Sequence, residues 1–407
     1  MRSAWQAARV DTPPPREVTL VLCDGNGRVL GALPPFTVDV AWWQEAAPVV
    51  RAARARHGVE VTVLRLLCGD AYPPAGGRVA YLAEVDRPPG VPLAPWTGDA
   101  LRDDPLRLPY ARPGGPRADV AWADRVLRRR GTPRTAPAEQ MRTWNLSSVW
   151  RLPAGEGAAW LKVVPPFFGH EGAMLARLDT RVVPPLIAAD GPRVLLDHVP
   201  GEDQWAAPLP RLLDMVRMLV GLQVAWSSRL GELAGVDLPD WRPAAFTAPA
   251  RDVFAPTAGE LDAETRSALA RLLDGLEERF AAVAGCGVPE SLVHGDFHPG
   301  NVRGDDERLV LLDWGDCGLG HPLLDQAAFL ERVAPADRAA VRAEWSRLWR
   351  DAVPGSDPDR AAVLLAPVAA LRQAMIYRTF LDGIEASERV YHAADPADWL
   401  RRAAGLA

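Results

Sequence analysis

One short stretch of this chain constrains its fold more than any other feature of the sequence. Residues 291–325 read SLVHGDFHPGNVRGDDERLVLLDWGDCGLGHPLLD. They contain the pattern H-G-D-x-H-x-x-N, which ends at Asn301, and a further aspartate, Asp313, that ends an apolar run twelve residues later. Pro299-Gly300 interrupts regular structure and can turn Asn301 back beside Asp296. A short hairpin can then bring Asp313 to the same place, so three oxygen-bearing side chains gather in one site.

These three side chains are the types that phosphoryl transfer requires, because catalysis of that reaction rests on positioning and charge stabilisation rather than on covalent chemistry. A carboxylate has to face the acceptor hydroxyl, and the sequence offers Asp296. An amide and a carboxylate have to hold Mg²⁺, and it offers Asn301 and Asp313. Taken singly, Asp296 could be a turn residue and Asp313 a strand-end cap.

The same motif resembles that of the aminoglycoside phosphotransferase and choline kinase family, from about Gln140 to the C-terminus. The resemblance implies ATP or GTP as donor and Mg²⁺ as metal, with Asp296 as catalytic base and Asn301 and Asp313 as metal ligands. It implies that His294 and Asp325 support the catalytic loop. It also implies an α+β, bilobal, protein-kinase-like fold, with a small β-rich N-lobe and a large helical C-lobe.

Upstream residues supply candidates for nucleotide binding. Lys162 is the only lysine among 46 basic residues, and it lies in a predicted strand, where the phosphate-binding lysine of kinases belongs. Glu171, nine residues on, begins the next predicted helix and is placed to pair with that lysine, although an acidic residue in a first turn can also serve the helix dipole alone. The resemblance further implies triphosphate contacts from one loop and adenine contacts from an inter-lobe hinge, represented by Ser147 and Ser148 and by Asp197 and Val199 of LLDHVPG.

A zinc site is an alternative interpretation of the same motif. His294 and His298 have i,i+4 spacing, but glycine follows His294 where the HExxH motif has glutamate, and Pro299-Gly300 breaks the helix that such a site needs. The four cysteines are far apart and form no CxxC pair, which argues against a zinc or disulfide framework.

The first hundred residues predict a separate α+β domain. Strands are expected at 18–24 and 28–32 around the turn Gly25-Asn26-Gly27, a helix over 42–57, and further strands at 59–67 and 78–86. The order resembles a Nudix domain, whose metal-binding helix carries R-E-x-x-E-E-x-G. Alignment on Gly58 matches Arg51, but alanine or arginine replaces the glutamates, at Ala52, Ala55 and Arg56. A hard cation needs oxygen ligands, so we expect an accessory domain without hydrolase activity.

We therefore expect three segments: an accessory domain over 1–115, an N-lobe over 116–200 and a C-lobe over 201–407, with a Pro- and Arg-rich linker at 102–118. A net charge of −6 without a basic block argues against nucleic acid as a partner. We expect no membrane span, because uncharged stretches are shorter than a span requires. Residues 1–11 lack the apolar segment of a secretory signal, so a cytoplasmic location is expected.

The sequence thus favours an ATP- and Mg²⁺-dependent O-phosphotransferase that acts on a small hydroxylated molecule such as an aminoglycoside, an amino alcohol or a sugar. A non-catalytic nucleotide-binding protein with a kinase fold is the main alternative, and a Nudix-type hydrolase is the second. The helices after the hinge are expected to line the acceptor pocket. The candidate lining residues are Trp205, Trp241, Trp345, Trp349, Tyr377, Asp382 and Glu385.

Overall fold

The computed structural model describes residues 13–70 and 74–407, so the expectation about a secretory signal lies outside the described residues. The chain begins with a mixed five-stranded sheet of order β2-β1-β5-β4, in which β1 and β5 are parallel and β3 pairs with β1. The predicted hairpin is confirmed, since β1 and β2 are antiparallel across the Gly25–Gly27 turn. The elements are β1 (Arg16–Cys23), β2 (Val29–Ala32), β3 (Phe36–Val38), α1 (Ala46–His57), β4 (Thr62–Gly69) and β5 (Gly77–Glu84).

Helix α1 corresponds, in the alignment on Gly58, to the metal-binding helix of Nudix domains. It begins later than its predicted window, and Pro48 falls in its first turn, where the missing N–H costs no helical hydrogen bond. Gly58 ends it in the left-handed conformation. Its first turn holds no acidic residue. The Nudix likeness of this domain stays a prediction.

The stretch at 102–118 is packed rather than an exposed tether. Tyr110 is buried, and its hydroxyl donates to the carbonyl of Trp144 at 2.8 Å. Arg107 donates to Glu385 at 2.8 and 3.0 Å. Helix α2 (Gly115–Arg130) begins within this stretch, one residue after Gly114. Prolines and arginines make up much of this stretch, so its composition suggested a loop. The composition gave no indication that Tyr110 would be buried.

The following sheet is the N-lobe, an antiparallel sheet of order β6-β7-β8-β10-β9. Strand β8 is the one that was predicted to hold Lys162. Trp150, Leu152, Leu161 and Leu195 form its core against α2. The elements are β6 (Glu139–Trp144), β7 (Ser147–Ala154), β8 (Gly157–Val163), α3 (Glu171–Leu175), β9 (Leu186–Asp190) and β10 (Arg193–Asp197).

The C-lobe is helical, with two small sheets that carry the motif of residues 291–325. One sheet has the order β11-β13-β14, and the other pairs β12 with β15. The strands are β11 (Glu202–Asp203), β12 (Ser291–Val293), β13 (Val302–Gly304), β14 (Leu309–Leu311) and β15 (Gly318–Gly320). The helices are α4 (Leu209–Ser227), α5 (Pro243–Thr257), α6 (Ala263–Asp274), α7 (Leu276–Ala284), α8 (Leu323–Arg332), α9 (Arg338–Ala352), α10 (Pro358–Gly383) and α11 (Asp395–Leu406).

Helix α10 is the one described helix whose length and composition would allow it to cross a membrane. Of its most apolar window, 56% is buried inside the protein. Arg372 lies in this helix, is buried, and donates to the carbonyl of Gly295. A buried core helix can be as long and as apolar as a membrane-spanning helix. The burial of α10 is that of a core helix of the C-lobe.

Candidate active site

The loop that follows β12 is held in shape by the carboxylate of Asp325 in the first turn of α8. One oxygen accepts the backbone N–H of His294 at 2.8 Å, and the other accepts that of Gly295 at 2.7 Å. Gln223 of α4 donates to the same carboxylate. Burial raises the pKa of Asp325 to about 6, against the effect of these hydrogen bonds. The expected supporting position of Asp325 therefore has a geometric basis.

His294 connects this loop to the end of the β13–β14 hairpin. Its Nδ1 accepts the backbone N–H of Asp296 at 3.3 Å, so Nε2 carries the proton and donates to the carbonyl of Leu312 at 2.9 Å. Burial lowers the pKa of His294 to about 4, and the imidazole is therefore neutral at pH 7. A neutral ring that bridges two backbone segments fixes the loop relative to the hairpin.

Asp296 and Asn301 lie side by side, as the Pro299-Gly300 turn predicts. Asn301 Nδ2 donates to the Asp296 backbone carbonyl at 2.9 Å and to Oδ2 of its carboxylate at 3.0 Å. Burial alone would raise the pKa of Asp296, but the nearby His298 and Arg332 hold that pKa below its usual range. The carboxylate is thus ionised, and the side-chain amide of Asn301 fixes its orientation.

His298, which the sequence offered only as a zinc ligand, faces the same carboxylate. Its Nδ1 accepts the backbone N–H of Gly300 at 3.0 Å, so its proton is on Nε2, 3.5 Å from Asp296 Oδ2. The indole of Trp205 stacks on the imidazole at 4.9 Å. Among the described residues no three His, Cys, Asp or Glu side chains are grouped as a metal site.

Lys162 contacts two carboxylates from two different lobes. Its Nζ lies 2.7 Å from Glu171 Oε2 and 2.7 Å from Asp313 Oδ1, so the predicted Lys162–Glu171 ion pair is present. Burial would lower the pKa of Lys162, but Asp313 and Glu171 raise it above its usual value, and the amine stays protonated. Lys162 lies on β8 and Glu171 begins α3, so the contact with Asp313 joins the N-lobe to the C-lobe motif.

Asp313 has an unusual backbone conformation. At φ 63° and ψ 71° it is the one non-glycine among the described residues with a positive φ. Such conformations cost on the order of 1–3 kcal/mol and persist where surrounding contacts impose them. Here Leu312 N–H donates to the backbone carbonyl of Asn301 at 2.7 Å on one side, and Trp314 N–H donates to the carboxylate of Glu171 at 3.2 Å on the other. These contacts hold Asp313 next to Asn301.

Asn301 and Asp313 fit the role of Mg²⁺ ligands. Magnesium is usually held by one or two protein oxygen ligands together with substrate phosphates, not by a cage of protein ligands. Since Asn301 uses its amide nitrogen on Asp296, its side-chain oxygen is the atom that could meet a cation. The donor set, one amide oxygen and one carboxylate beside a protonated lysine, is of the right chemical type.

The remaining nucleotide-binding candidates lie further inside the protein than expected. Ser147 and Ser148 are buried, and their hydroxyls accept the indole N–H groups of Trp144 and Trp150. Their contacts with phosphates stay a prediction.

The hinge candidates are engaged as well. Both oxygens of Asp197 are paired with Arg130, at 2.7 and 2.8 Å. The carbonyl of Val199 accepts Arg303 Nε at 2.8 Å. Their role in adenine binding also stays a prediction.

A cleft with a volume of about 970 Å³ opens beside Asp296, between α8, α9, α10 and α11. Of the acceptor-site candidates, Tyr377 lines it, and Trp205 lies against His298 at its edge. Trp345 and Trp349 are instead fully buried in the core of the C-lobe, which is the common fate of aromatic stripes.

The other three candidates are engaged elsewhere. Glu385 pairs with Arg107 and lies near Arg65, Asp382 pairs with Arg378, and Trp241 lies under Arg372.

Two residues of this site were missed from the sequence. Asp316, three residues after Asp313, is near both motif carboxylates, and burial together with their charges raises its pKa well above the usual value. Arg372 donates to the backbone carbonyls of Gly295 and Asp316, and so ties α10 to the catalytic loop. The signal for Asp316 was its place in the motif, and that for Arg372 was one charged residue within the otherwise uncharged stretch 361–377 of α10.

Comparison with other proteins gives the class to which this fold and site belong. Residues 145–364 match the sequence profile of the phosphotransferase enzyme family (APH), and this chain belongs to that family. No curated protein sequence matches the chain.

Solved structures show the same fold. A type I macrolide 2'-phosphotransferase is 17% identical, covers 69% of this chain and 97% of its own length, and has a TM-score of 0.51. The choline kinase LicA from Streptococcus pneumoniae is 13% identical, covers 71% and 99% respectively, and has a TM-score of 0.50. The fold and the sequence profile together place this chain in the class of the phosphotransferase enzyme family.

Proposed function

We propose that this protein transfers the γ-phosphoryl group of ATP to a hydroxyl of a small molecule and requires Mg²⁺. The observation that carries the proposal is the joint placement of Asp296, Asn301, Asp313 and Lys162. An amide orients the carboxylate of Asp296 at 3.0 Å, and a lysine bridges Asp313 and the N-lobe at 2.7 Å. The family relationship and the solved phosphotransferases of the same fold support it.

In this mechanism Asp296 accepts a hydrogen bond from the acceptor hydroxyl and takes its proton as the oxygen attacks the γ-phosphorus. The bond from that phosphorus to the β–γ bridging oxygen breaks, and ADP leaves with the electron pair. Lys162 holds the α- and β-phosphates, and Glu171 keeps the lysine in place. Asn301 and Asp313 hold Mg²⁺, which when bound neutralises charge on the phosphates. The stacked ring of His298 limits the positions that the Asp296 carboxylate can adopt.

We further propose that the N-terminal domain is an accessory part of the enzyme and that the protein acts in the cytoplasm. Gln140 of β6 donates to and accepts from the backbone of Val63, at 2.7 and 2.9 Å. Trp144 and Leu146 share a hydrophobic cluster with the N-terminal sheet and with Phe380 of α10. The domain thus packs against the β6–β7 turn that precedes Ser147, and its role is to fix the shape of that turn.

The test is detection of product. Purified full-length protein, MgATP and a panel of hydroxylated acceptors that includes aminoglycosides, macrolides, amino alcohols and sugars are analysed by mass spectrometry. We expect one acceptor to gain a single phosphoryl group with release of ADP. Nucleotide binding with no phosphorylated product across the panel would instead favour a non-catalytic kinase-fold protein.

A further inference from the structure

The charge of the cleft beside Asp296 is opposite to that of the whole protein. The chain carries a net charge of −6. Three acidic residues line the cleft, namely Asp296, Glu331 and Asp359. Five arginines line it as well: Arg332, Arg338, Arg342, Arg372 and Arg402. A concave site of one charge sign concentrates ligands of the opposite sign, so this excess bears on the acceptor.

The acidic residues of the cleft are already engaged by other groups. Glu331 pairs with Arg402, and Asp359 accepts the hydroxyl of Ser346 and pairs with Arg350 of α9. Asp296 is the proposed base and is held by Asn301. A cationic acceptor would therefore have to compete with arginines for Glu331 and Asp359, and with Asn301 for Asp296.

Two of the arginines are exposed at the start of α9. Arg338 is the first residue of the helix and donates through Nε to the carbonyl of Val333, which directs its position. Arg342 lies one turn further on, and both side chains are exposed. The first turn of α9 contains no acidic residue, so the positive end of the helix dipole adds to these charges. Asp337 precedes Arg338, but it does not line the cleft.

The interior of the cleft combines an apolar surface with an unused polar group. Helix α10 contributes small side chains and Val363, which is 74% exposed. Gln326 of α8 lines the cleft, its side chain is buried, and its Nε2 has no hydrogen-bond partner in the part of the chain described. A buried amide donor without a partner is unfavourable, and an acceptor oxygen of a ligand would remove that cost.

We propose that the phosphate acceptor is an anionic molecule with a hydroxyl and an apolar portion, and not a polycationic amine. Its carboxylate or phosphate group binds Arg338 and Arg342, because the guanidinium fork matches the oxygens of such groups. Gln326 donates to a further oxygen, the apolar portion lies on α10, and the hydroxyl reaches Asp296. The proposal rests on the proposed phosphotransferase function and names the substrate class of the same site.

The test uses three ligands that share the sugar ring and the alkyl chain and differ in charge: hexyl glucuronide, with a carboxylate at C6, hexyl glucoside, and hexyl 2-amino-2-deoxyglucoside, with an amine at C2. Each is titrated into the full-length protein by calorimetry and is also offered as acceptor with MgATP. We expect the glucuronide to bind at least tenfold more tightly than the amine. Hexyl glucoside 6-phosphate, as a fourth ligand, distinguishes preference for phosphate from preference for carboxylate.

Two charge-reversal variants complete the test. Arg338→Glu/Arg342→Glu should abolish the tenfold preference, and it should fold, because glutamate suits the start of a helix better than arginine does. The matched control, Arg128→Glu/Arg129→Glu, reverses two exposed charges on α2 that do not line the cleft, and it should keep the preference.

Equal or tighter binding of the amine, no binding of any ligand, or equal loss in both variants would overturn the inference. Binding does not require turnover, so these results are separate from a failure of phosphoryl transfer, which would count against the proposed function alone.

Discussion

The amide nitrogen of Asn301 lies 2.9 Å from the backbone carbonyl of Asp296 and 3.0 Å from its carboxylate. One side chain therefore fixes both the loop and the orientation of the carboxylate that the loop presents. In the mechanism proposed above, the same residue keeps its oxygen for a cation, so one side chain serves both the base and the metal. The proposed roles thus link the position of a hydroxyl acceptor at Asp296 to that of a phosphate held near Asn301.

Lys162→Arg should reduce kcat/KM by roughly 10²-fold, although the charge is kept. Lys162 Nζ lies 2.7 Å from both Glu171 and Asp313, a spacing that suits a compact ammonium and not a planar guanidinium. A misplacement of about 1 Å near the reacting groups is sufficient for such a loss. Steady-state kinetics is the measurement.

Arg151→Lys on the neighbouring strand β7 is the control for this substitution. Arg151 pairs with Glu139 at the surface, so its replacement should have little effect on turnover. Equal, mild effects of the two substitutions would show that the single lysine has no special role.

Gly295→Ala should lower turnover by at least tenfold and reduce thermal stability. Gly295 has φ 88°, and a Cβ atom there would overlap the carbonyl oxygen of Asp316 and approach Arg372. A positive φ alone costs an alanine about 1–2 kcal/mol, and the overlap adds displacement of the catalytic loop. Gly90→Ala, at a position with open space around it, is the matched control and should be neutral. Wild-type kinetics in Gly295→Ala would contradict the described loop geometry.

The stability of the protein should fall as Glu388 ionises. Burial raises the pKa of Glu388 from 4.5 to about 8, against the effect of the hydrogen bond that one oxygen accepts from Leu66 N–H; the other oxygen has no hydrogen-bond partner among the described residues. With a raised folded-state pKa, the stabilising contribution of the protonated acid is complete below pH 4.5 and is lost as pH rises through about 8. The free energy of unfolding falls by at most about 5 kcal/mol through this ionisation.

Glu388→Gln should therefore gain melting temperature relative to wild type as the pH rises from about 5.5 to 8.5. Thermal unfolding at both pH values is the measurement. Glu264→Gln, at an exposed position of α6, should show the same difference from wild type at both. A pH-independent difference for Glu388→Gln would show that this carboxyl is not protonated in the fold.

The local part of the site could be predicted from the sequence because short-range chain geometry determines it. Asp296 and Asn301 are five residues apart around a Pro-Gly turn, and Asp313 follows at the end of a hairpin. Lys162 and Glu171 are separated by one turn between a strand and a helix, so their ion pair also follows from local structure. The resemblance then supplied the lobes that hold these segments.

Contacts between distant segments could not be predicted in this way. Leu66 and Glu388 are 322 residues apart, and no local pattern indicates that the N-terminal sheet packs against the end of α10 and the residues beyond it. The arginines of the cleft come from four helices, so only the folded structure brings their charges together. Trp345 and Trp349 follow helical spacing, which fits a core and a pocket equally well.

The most direct test of the account is the effect of Asp296→Asn on turnover and on nucleotide affinity. Loss of a general base lowers kcat by about 10²–10⁴-fold, whereas the proposed nucleotide contacts of Lys162 are unchanged. ADP release with an identified acceptor and calorimetric binding of ATP are measured on the same preparations. Asp306→Asn, at an exposed position of the hairpin turn, is the control. The account predicts lost turnover with ATP affinity unchanged; more than a tenth of wild-type turnover would contradict it.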